Sequence, residues 1–148
     1  MKASGVLSIL LMATLASNVT AQEVRRTIDP SSVADSTALP FSGAVLVGNT
    51  LYLSGAIGLD EEGQVPASAD VEARNVLDGI RKTLETAGMS MDDLVSVQVF
   101  CSDVAHYDVF NRVYRTYFTG EFPARAFLGS GTLLFGARFE VQGIAVKR

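Results

Sequence analysis

The chain has 148 residues, 48% of them hydrophobic and 19% charged, the composition of one compact soluble domain and not of a disordered or fibrous chain. Sixteen acidic against twelve basic residues give a net charge of −4, so the chain lacks the basic field that binding to nucleic acid or anionic lipid uses. One cysteine, Cys101, and one histidine, His106, argue against a disulfide framework and a Cys/His zinc site.

Lys2, a mostly apolar run over residues 5–15 and the small residues Val19-Thr20-Ala21 are the three parts of a secretory signal, with cleavage expected after Ala21. The run is too short for a bilayer, which takes about 20 apolar residues. An uncleaved anchor is the alternative. Cleavage leaves residues 22–148 as a single domain. Lys2 is the only charge removed, so the net charge goes from −4 to −5. The expected location is periplasmic or secreted, with no membrane attachment after cleavage.

Residues 22–40 are polar, and only residues 24–28 could form a short edge strand. Ala44-Val45-Leu46-Val47 and Thr50-Leu51-Tyr52-Leu53-Ser54 flank Gly48-Asn49, which is the pattern of a hairpin with a two-residue turn. Residues 55–66, rich in glycine and acids, read as a loop. Ala73, Val76, Leu77, Ile80, Leu84 and Ala87 recur on one face of a helix over residues 70–87. Ser68 or Asp70 is the expected N-cap, Asp70 and Glu72 favour the positive end of the dipole, and Gly88 is the expected stop.

Residues 94–101 alternate, placing Val95, Val97, Val99 and Cys101 on one face and Ser96, Gln98 and Phe100 on the other. Asp103 caps a second helix whose aromatic stripe, Tyr107, Phe110, Tyr114, Tyr117 and Phe118, ends at Gly120. Residues 125–132 and 138–147 read as strands, the last with Phe139, Val141, Gly143 and Ala145 opposite Glu140, Gln142, Ile144 and Val146. The order β, β, α, β, α, β, β with one apolar face per helix predicts a two-layer α+β domain. Leu51, Leu53, Ile144 and Val146 are expected on its open sheet face, making that face apolar enough to pack against other copies.

Few residues stand out as chemical on their own. His106, between Asp103 and Asp108, reads as a solvated or capping residue. Cys101 reads as a small buried hydrophobe. Gly129-Ser130-Gly131-Thr132 lacks the lysine and glycine spacing of a phosphate loop. Arg125 differs, because it opens a strand after Phe122-Pro123-Ala124 and arginine is the side chain best shaped to grip a carboxylate. A surface ion pair is the alternative. Glu140 stands on a strand face with Ile144 and Val146, where a carboxylate is costly unless it pairs or works on a water.

Taken together, Pro40-Phe41-Ser42-Gly43-Ala44-Val45, Gly48-Asn49-Thr50-Leu51-Tyr52-Leu53-Ser54-Gly55, Asn111 with Tyr114, Phe122-Pro123-Ala124-Arg125 and Glu140-Val141-Gln142-Gly143-Ile144-Ala145-Val146 resemble the Rid family, also called YjgF or L-PSP. The resemblance implies a chorismate-mutase-like α+β subunit, with two helices on one face of a mixed sheet. It implies a homotrimer whose sheets form a central barrel, with clefts between subunits. It further implies hydrolysis of reactive 2-imino acids and enamines, such as 2-aminoacrylate, to 2-keto acids and ammonia without metal or organic cofactor. Arg125 would hold the substrate carboxylate, and Glu140 the attacking water. Ser54, Gly55 and Asn111 match cleft positions, with turn geometry and packing as their alternative. The best-studied deaminases of the family carry tyrosine at the position of Phe41, cysteine at that of Phe127 and often glutamine at that of Ala56, so substrate-binding Phe41 and Phe127 alter the cleft. A non-catalytic trimer that binds small carboxylates is the alternative function. The endoribonuclease activity in the family's older name fits poorly with the negative charge.

Overall fold

The computed structural model describes residues 24–28 and 39–148. The expected signal at residues 1–21 and most of the polar lead-in lie outside them. Six strands form one sheet: β1 (Arg25–Ile28), β2 (Ala44–Val47), β3 (Thr50–Ile57), β4 (Leu94–Cys101), β5 (Ala124–Gly129) and β6 (Phe139–Val146). Their spatial order is β1-β2-β3-β6-β4-β5. All neighbours are antiparallel except β4 and β5. Those two are parallel because a helix connects them, as parallel neighbours require.

Helices α1 (Ala69–Thr86) and α2 (Tyr107–Tyr114) bury their apolar sides in one core with one face of the sheet. The α1 stripe is buried as its spacing predicts, Ala73 through Ala87 being no more than 5% exposed. Gly88, at φ 75°, ends the helix. Its N–H donates to Glu85 O and that of Met89 to Leu84 O, both at 2.9 Å, a paired closure that a left-handed residue allows and for which glycine bears no Cβ penalty. At the other end neither expected cap works through its side chain. The Ser68 hydroxyl donates to the Asp70 carboxylate instead. Asp103 does cap its turn, accepting from Ala105 N at 2.9 Å.

Other expectations are corrected. The second helix does not run to Gly120: α2 ends at Tyr114 and one tighter 3-10 turn, Arg115–Tyr117, follows. Strand β5 stops at Gly129, not Thr132, because its partner ends at Cys101, opposite Gly129. Val95 is 47% exposed while Leu94 is buried, since a register shift between Leu94 and Ser96 moves the alternation by one residue. Leu51 and Leu53 do not lie on the open face. They pair with buried Ala145 and Gly143 and belong to the core, so the open face carries Tyr52, Ile144 and Val146 with Gln98 and Gln142. The two amides bond there at 2.5 Å.

A clamp joins α1 to β6. Glu72 is fully buried and accepts from the backbone N–H of Arg138 at 2.6 Å and of Phe139 at 3.0 Å. It also takes the Arg138 Nη1 at 2.7 Å, and that guanidinium donates in turn to Pro66 O and Ala67 O. Every charge is therefore satisfied, which is the condition for keeping an ion pair in a core. Glu72→Ala leaves a half-buried guanidinium and two backbone donors unmatched, and is expected to cost about 3 kcal/mol. Glu72→Gln keeps an acceptor for the backbone donors and costs less. Urea unfolding of both variants measures the difference.

Candidate active site

Arg125 enters β5 opposite Val97, which is 3% exposed, so its side chain points to the helix layer. There the guanidinium carbon lies 4.5 Å from the Tyr114 ring centroid, with Phe127 at 5.9 Å and Phe110 at 6.0 Å. Nη2 donates to Asn111 Oδ1 at 2.6 Å. Among the described residues Arg125 forms no ion pair; the arginines that do are Arg81, Arg138 and Arg148. A cleft of about 270 Å³ opens beside it, lined by Tyr107, Asn111, Tyr114, Arg115, Phe122 and Pro123. Tyr107, Asn111 and Tyr114 reach the same cleft because positions i, i+4 and i+7 share a helix face. An arginine held by a neutral amide and aromatic faces keeps its charge undiminished for an anion.

Glu140 lies on the other side of the sheet. It pairs with Ile57 and Phe100 and alternates with buried Phe139 and Val141. Its carboxylate sits over Gly55: a Cβ there would collide with Oε1 and stand 3.1 Å from the carboxylate carbon. Gly55 belongs to the register shift in β3 between Leu53 and Ala56, as bulges beside sites often do. The Ser54 hydroxyl donates to Ser42 O at 2.7 Å and its N–H to Gly43 O at 3.1 Å. These bonds hold the segment that carries Phe41, half exposed, against the bulge.

The seven expected site residues thus form two groups. Asn111, Arg125 and Phe127 stand on the helix side at the β5 edge; Ser54, Gly55 and Glu140, with Phe41 on the adjoining segment, stand at the β3-β6 bulge. β4 separates them, and Val97 opposite Arg125 and Phe100 opposite Glu140 point to opposite faces. One copy does not bring Arg125 and Glu140 together. The family described as endoribonuclease L-PSP matches residues 32–147. The chain belongs to this family, Rid.

Rid relatives agree in sequence and in fold. The 2-iminobutanoate/2-iminopropanoate deaminases of goat and mouse are each 38% identical, over 126 and 110 residues, covering 84% and 73% of this chain and 91% and 82% of theirs. The crystal structure of the YjgF gene product of E. coli superposes with a TM-score of 0.73 at 30% identity, over 83% of this chain and 99% of that one. That of E. coli TdcF with bound serine gives 0.71 at 26%, over 74% and 90%.

Within this Rid chain the other polar candidates are structural. Cys101 is buried, donates to Asp103 O at 3.0 Å, and burial pushes its thiol pKa up, the opposite of a reactive thiol. His106 packs edge-on to Phe139 at 6.0 Å. The 129–132 stretch leaves the sheet at Gly129 and is exposed. Among the described residues no three His, Cys, Asp or Glu side chains cluster as metal ligands do. Nor is any helix among them long and apolar enough to cross a membrane.

Tyr107, Tyr114, Arg115 and Phe122 were not foreseen in the cleft. The i, i+4, i+7 spacing of Tyr107, Asn111 and Tyr114 is the signal that could have found the two tyrosines, but an aromatic stripe reads first as core. Tyr114 is 4% exposed and its hydroxyl has no hydrogen-bond partner among the described residues. Burial pushes it up to about 12 from 10.0, with Arg125 pulling the other way. A raised folded pKa contributes stability that is complete below pH 10 and lost as pH rises toward 12. Tyr114→Phe keeps the ring beneath Arg125 and removes an unmatched hydroxyl. It is expected to leave stability at pH 7 equal or slightly higher and to flatten the alkaline loss in urea melts between pH 9 and 11.5. Tyr117, also pushed up to about 12 by burial and its bond to Asp78, and the Cys101 thiol, pushed up by burial, contribute to the loss that remains.

Proposed function

We propose that this chain hydrolyses 2-imino acids and their enamine tautomers to 2-keto acids and ammonia, in clefts each completed by two copies within a trimer. The observation that carries the reading is Arg125: a guanidinium set among aromatic rings, tied to Asn111 Oδ1 and free of any carboxylate among the described residues. Such a group is built to receive the carboxylate of a small acid. The kinship with 2-iminobutanoate/2-iminopropanoate deaminases, and the serine bound to TdcF, support a small amino-acid-like ligand.

The chemistry asks little of the protein. The protonated imine carbon is already electrophilic, so a positioned water adds to C2, one of its protons leaving to a base, and the tetrahedral carbinolamine collapses to the C2 carbonyl, the hydroxyl proton leaving with the ammonia as ammonium. Glu140, half-buried over Gly55, takes the proton of the water and returns it to the departing nitrogen. General acid-base help of this kind contributes about 10²-fold to 10⁴-fold, and orientation adds to it. No step calls for a metal or an organic cofactor.

Since Arg125 and Glu140 face opposite sides of one sheet, the reaction needs a second copy, and the exposed Tyr52 and half-buried Ile144 of the open face offer surface for that contact. Light scattering of the purified protein is expected to give three times the chain mass at micromolar concentration. A monomeric mass would dissolve the shared cleft. We also assign residues 1–21 as a cleaved signal and residues 22–148 as the secreted, single-domain protein. Mass spectrometry of protein from the periplasmic fraction is expected to begin at Gln22.

The decisive assay generates 2-imino acids in situ with an amino-acid oxidase and traps them with semicarbazide. Diversion of the imine to keto acid and ammonia is expected. Phe127 favours a second reading, because its ring packs against Tyr107 and Phe110 and brings no polar group to the site. Tight binding of small carboxylates with no diversion of any imine is the result that would install a non-catalytic binder in place of the deaminase. RNA cleavage finds no support in a net charge of −4.

A further inference from the structure

The cleft beside Arg125 holds a second guanidinium. Arg115 follows the last residue of α2, where the negative end of the helix dipole favours a cation. Its Cζ lies 5.7 Å from the Phe122 ring centroid, and it lines the same cleft of about 270 Å³ as Arg125. Among the described residues Arg115 makes no ion pair either, and no Asp or Glu lines the cleft. In a chain whose net charge is −4, one copy therefore brings two positive charges and no negative one to its side of the cleft. Two guanidinium groups at one concave surface add their fields and draw an anion more strongly than either alone. A substrate with one carboxylate answers Arg125 and leaves Arg115 unanswered.

We propose that this cleft selects substrates with two anionic groups, 2-imino dicarboxylic acids, Arg125 taking the carboxylate next to the imine and Arg115 the carboxylate of the side chain. The inference rests on the deaminase reading of the same site and names its substrate class. Imines of this class arise when amino acids with acidic side chains are oxidised at the α-carbon, losing two electrons and two protons to the oxidant.

Two measurements test it. In the semicarbazide competition assay, imines made from aspartate and glutamate are expected to be hydrolysed with about tenfold higher kcat/KM than those from alanine, leucine and phenylalanine, the scale of one charged hydrogen bond. Arg115→Gln is expected to bring that ratio close to one. In calorimetry, which needs no turnover, succinate and glutarate are expected to bind the wild type about tenfold more tightly than butanoate, and Arg115→Gln to erase the difference. Equal binding of mono- and dicarboxylates, a preference for the leucine or phenylalanine imine, or an unchanged ratio in Arg115→Gln would each overturn the assignment. Selective dicarboxylate binding without hydrolysis of any imine would leave it standing and remove the deaminase reading instead.

Discussion

Arg125→Ala is expected to lower kcat/KM for every imino acid by about 10²-fold to 10³-fold, the scale of truncating one partner of a desolvated, hydrogen-bonded charge pair. Three contributions leave together: the proposed bidentate grip on the substrate carboxylate, the stack on Tyr114 at 4.5 Å, and the bond to Asn111 Oδ1 at 2.6 Å. The last loss leaves the Asn111 carbonyl without its donor and frees the side chain to turn. Arg125→Lys separates charge from shape. A lysine restores the positive charge but neither the planar fork nor the stack, so it should recover only part of the activity. Steady-state kinetics on both variants, with circular dichroism and oligomeric mass as controls for folding, make the comparison. Wild-type rates in Arg125→Ala, with the assembly intact, would remove this residue from the site.

The second large effect is expected at Glu140. Glu140→Gln preserves volume and hydrogen-bonding capacity while removing the proposed base, so the loss should fall on kcat, by about 10²-fold to 10⁴-fold, with KM changing far less because the proposed carboxylate grip belongs to Arg125. A rise in KM at constant kcat would instead mean that Glu140 only binds. The backbone around it is arranged for that carboxylate: Gly55 leaves the space it occupies. The Glu72 clamp on Arg138 and Phe139 fixes the strand one residue before it. Turnover by mixed trimers checks the shared cleft directly. Arg125→Ala and Glu140→Gln protomers, each strongly impaired alone, should regain part of the activity when assembled together, because some clefts then receive an intact residue from each copy.

Much of this was legible in the chain of letters because it depends on local periodicity. The stripe Ala73, Val76, Leu77, Ile80, Leu84 buries as spaced because a helix repeats every 3.6 residues whatever lies around it. The same holds for the alternation of Phe139, Val141, Gly143 and Ala145, and for the stop at Gly88. Arg125, Glu140, Ser54, Gly55 and Asn111 could be singled out through motifs whose order matches the Rid family, to which the chain belongs.

What periodicity cannot supply is register and long-range pairing. Alternation told that Leu51 and Leu53 share a face but not which one; the pairing of Leu51 with Ala145 decided it. One inserted residue near Leu94 was enough to turn Val95 outward, since a slip of one residue reverses every side chain of a strand. The Glu72–Arg138 pair joins residues 66 positions apart, and no local signal links them. Nor could order along the chain reveal that Arg125 and Glu140 point to opposite faces, or that Arg115 shares a cleft with Arg125. Composition, family, helix faces and turns were thus determined by the sequence alone, the first two as sums over the chain's letters and the last two because they depend on neighbours within a few residues. Only the tertiary structure decided sheet register, the buried clamp and the placement of Arg125 and Glu140 on opposite faces, because these depend on which distant strands and helices come to lie side by side.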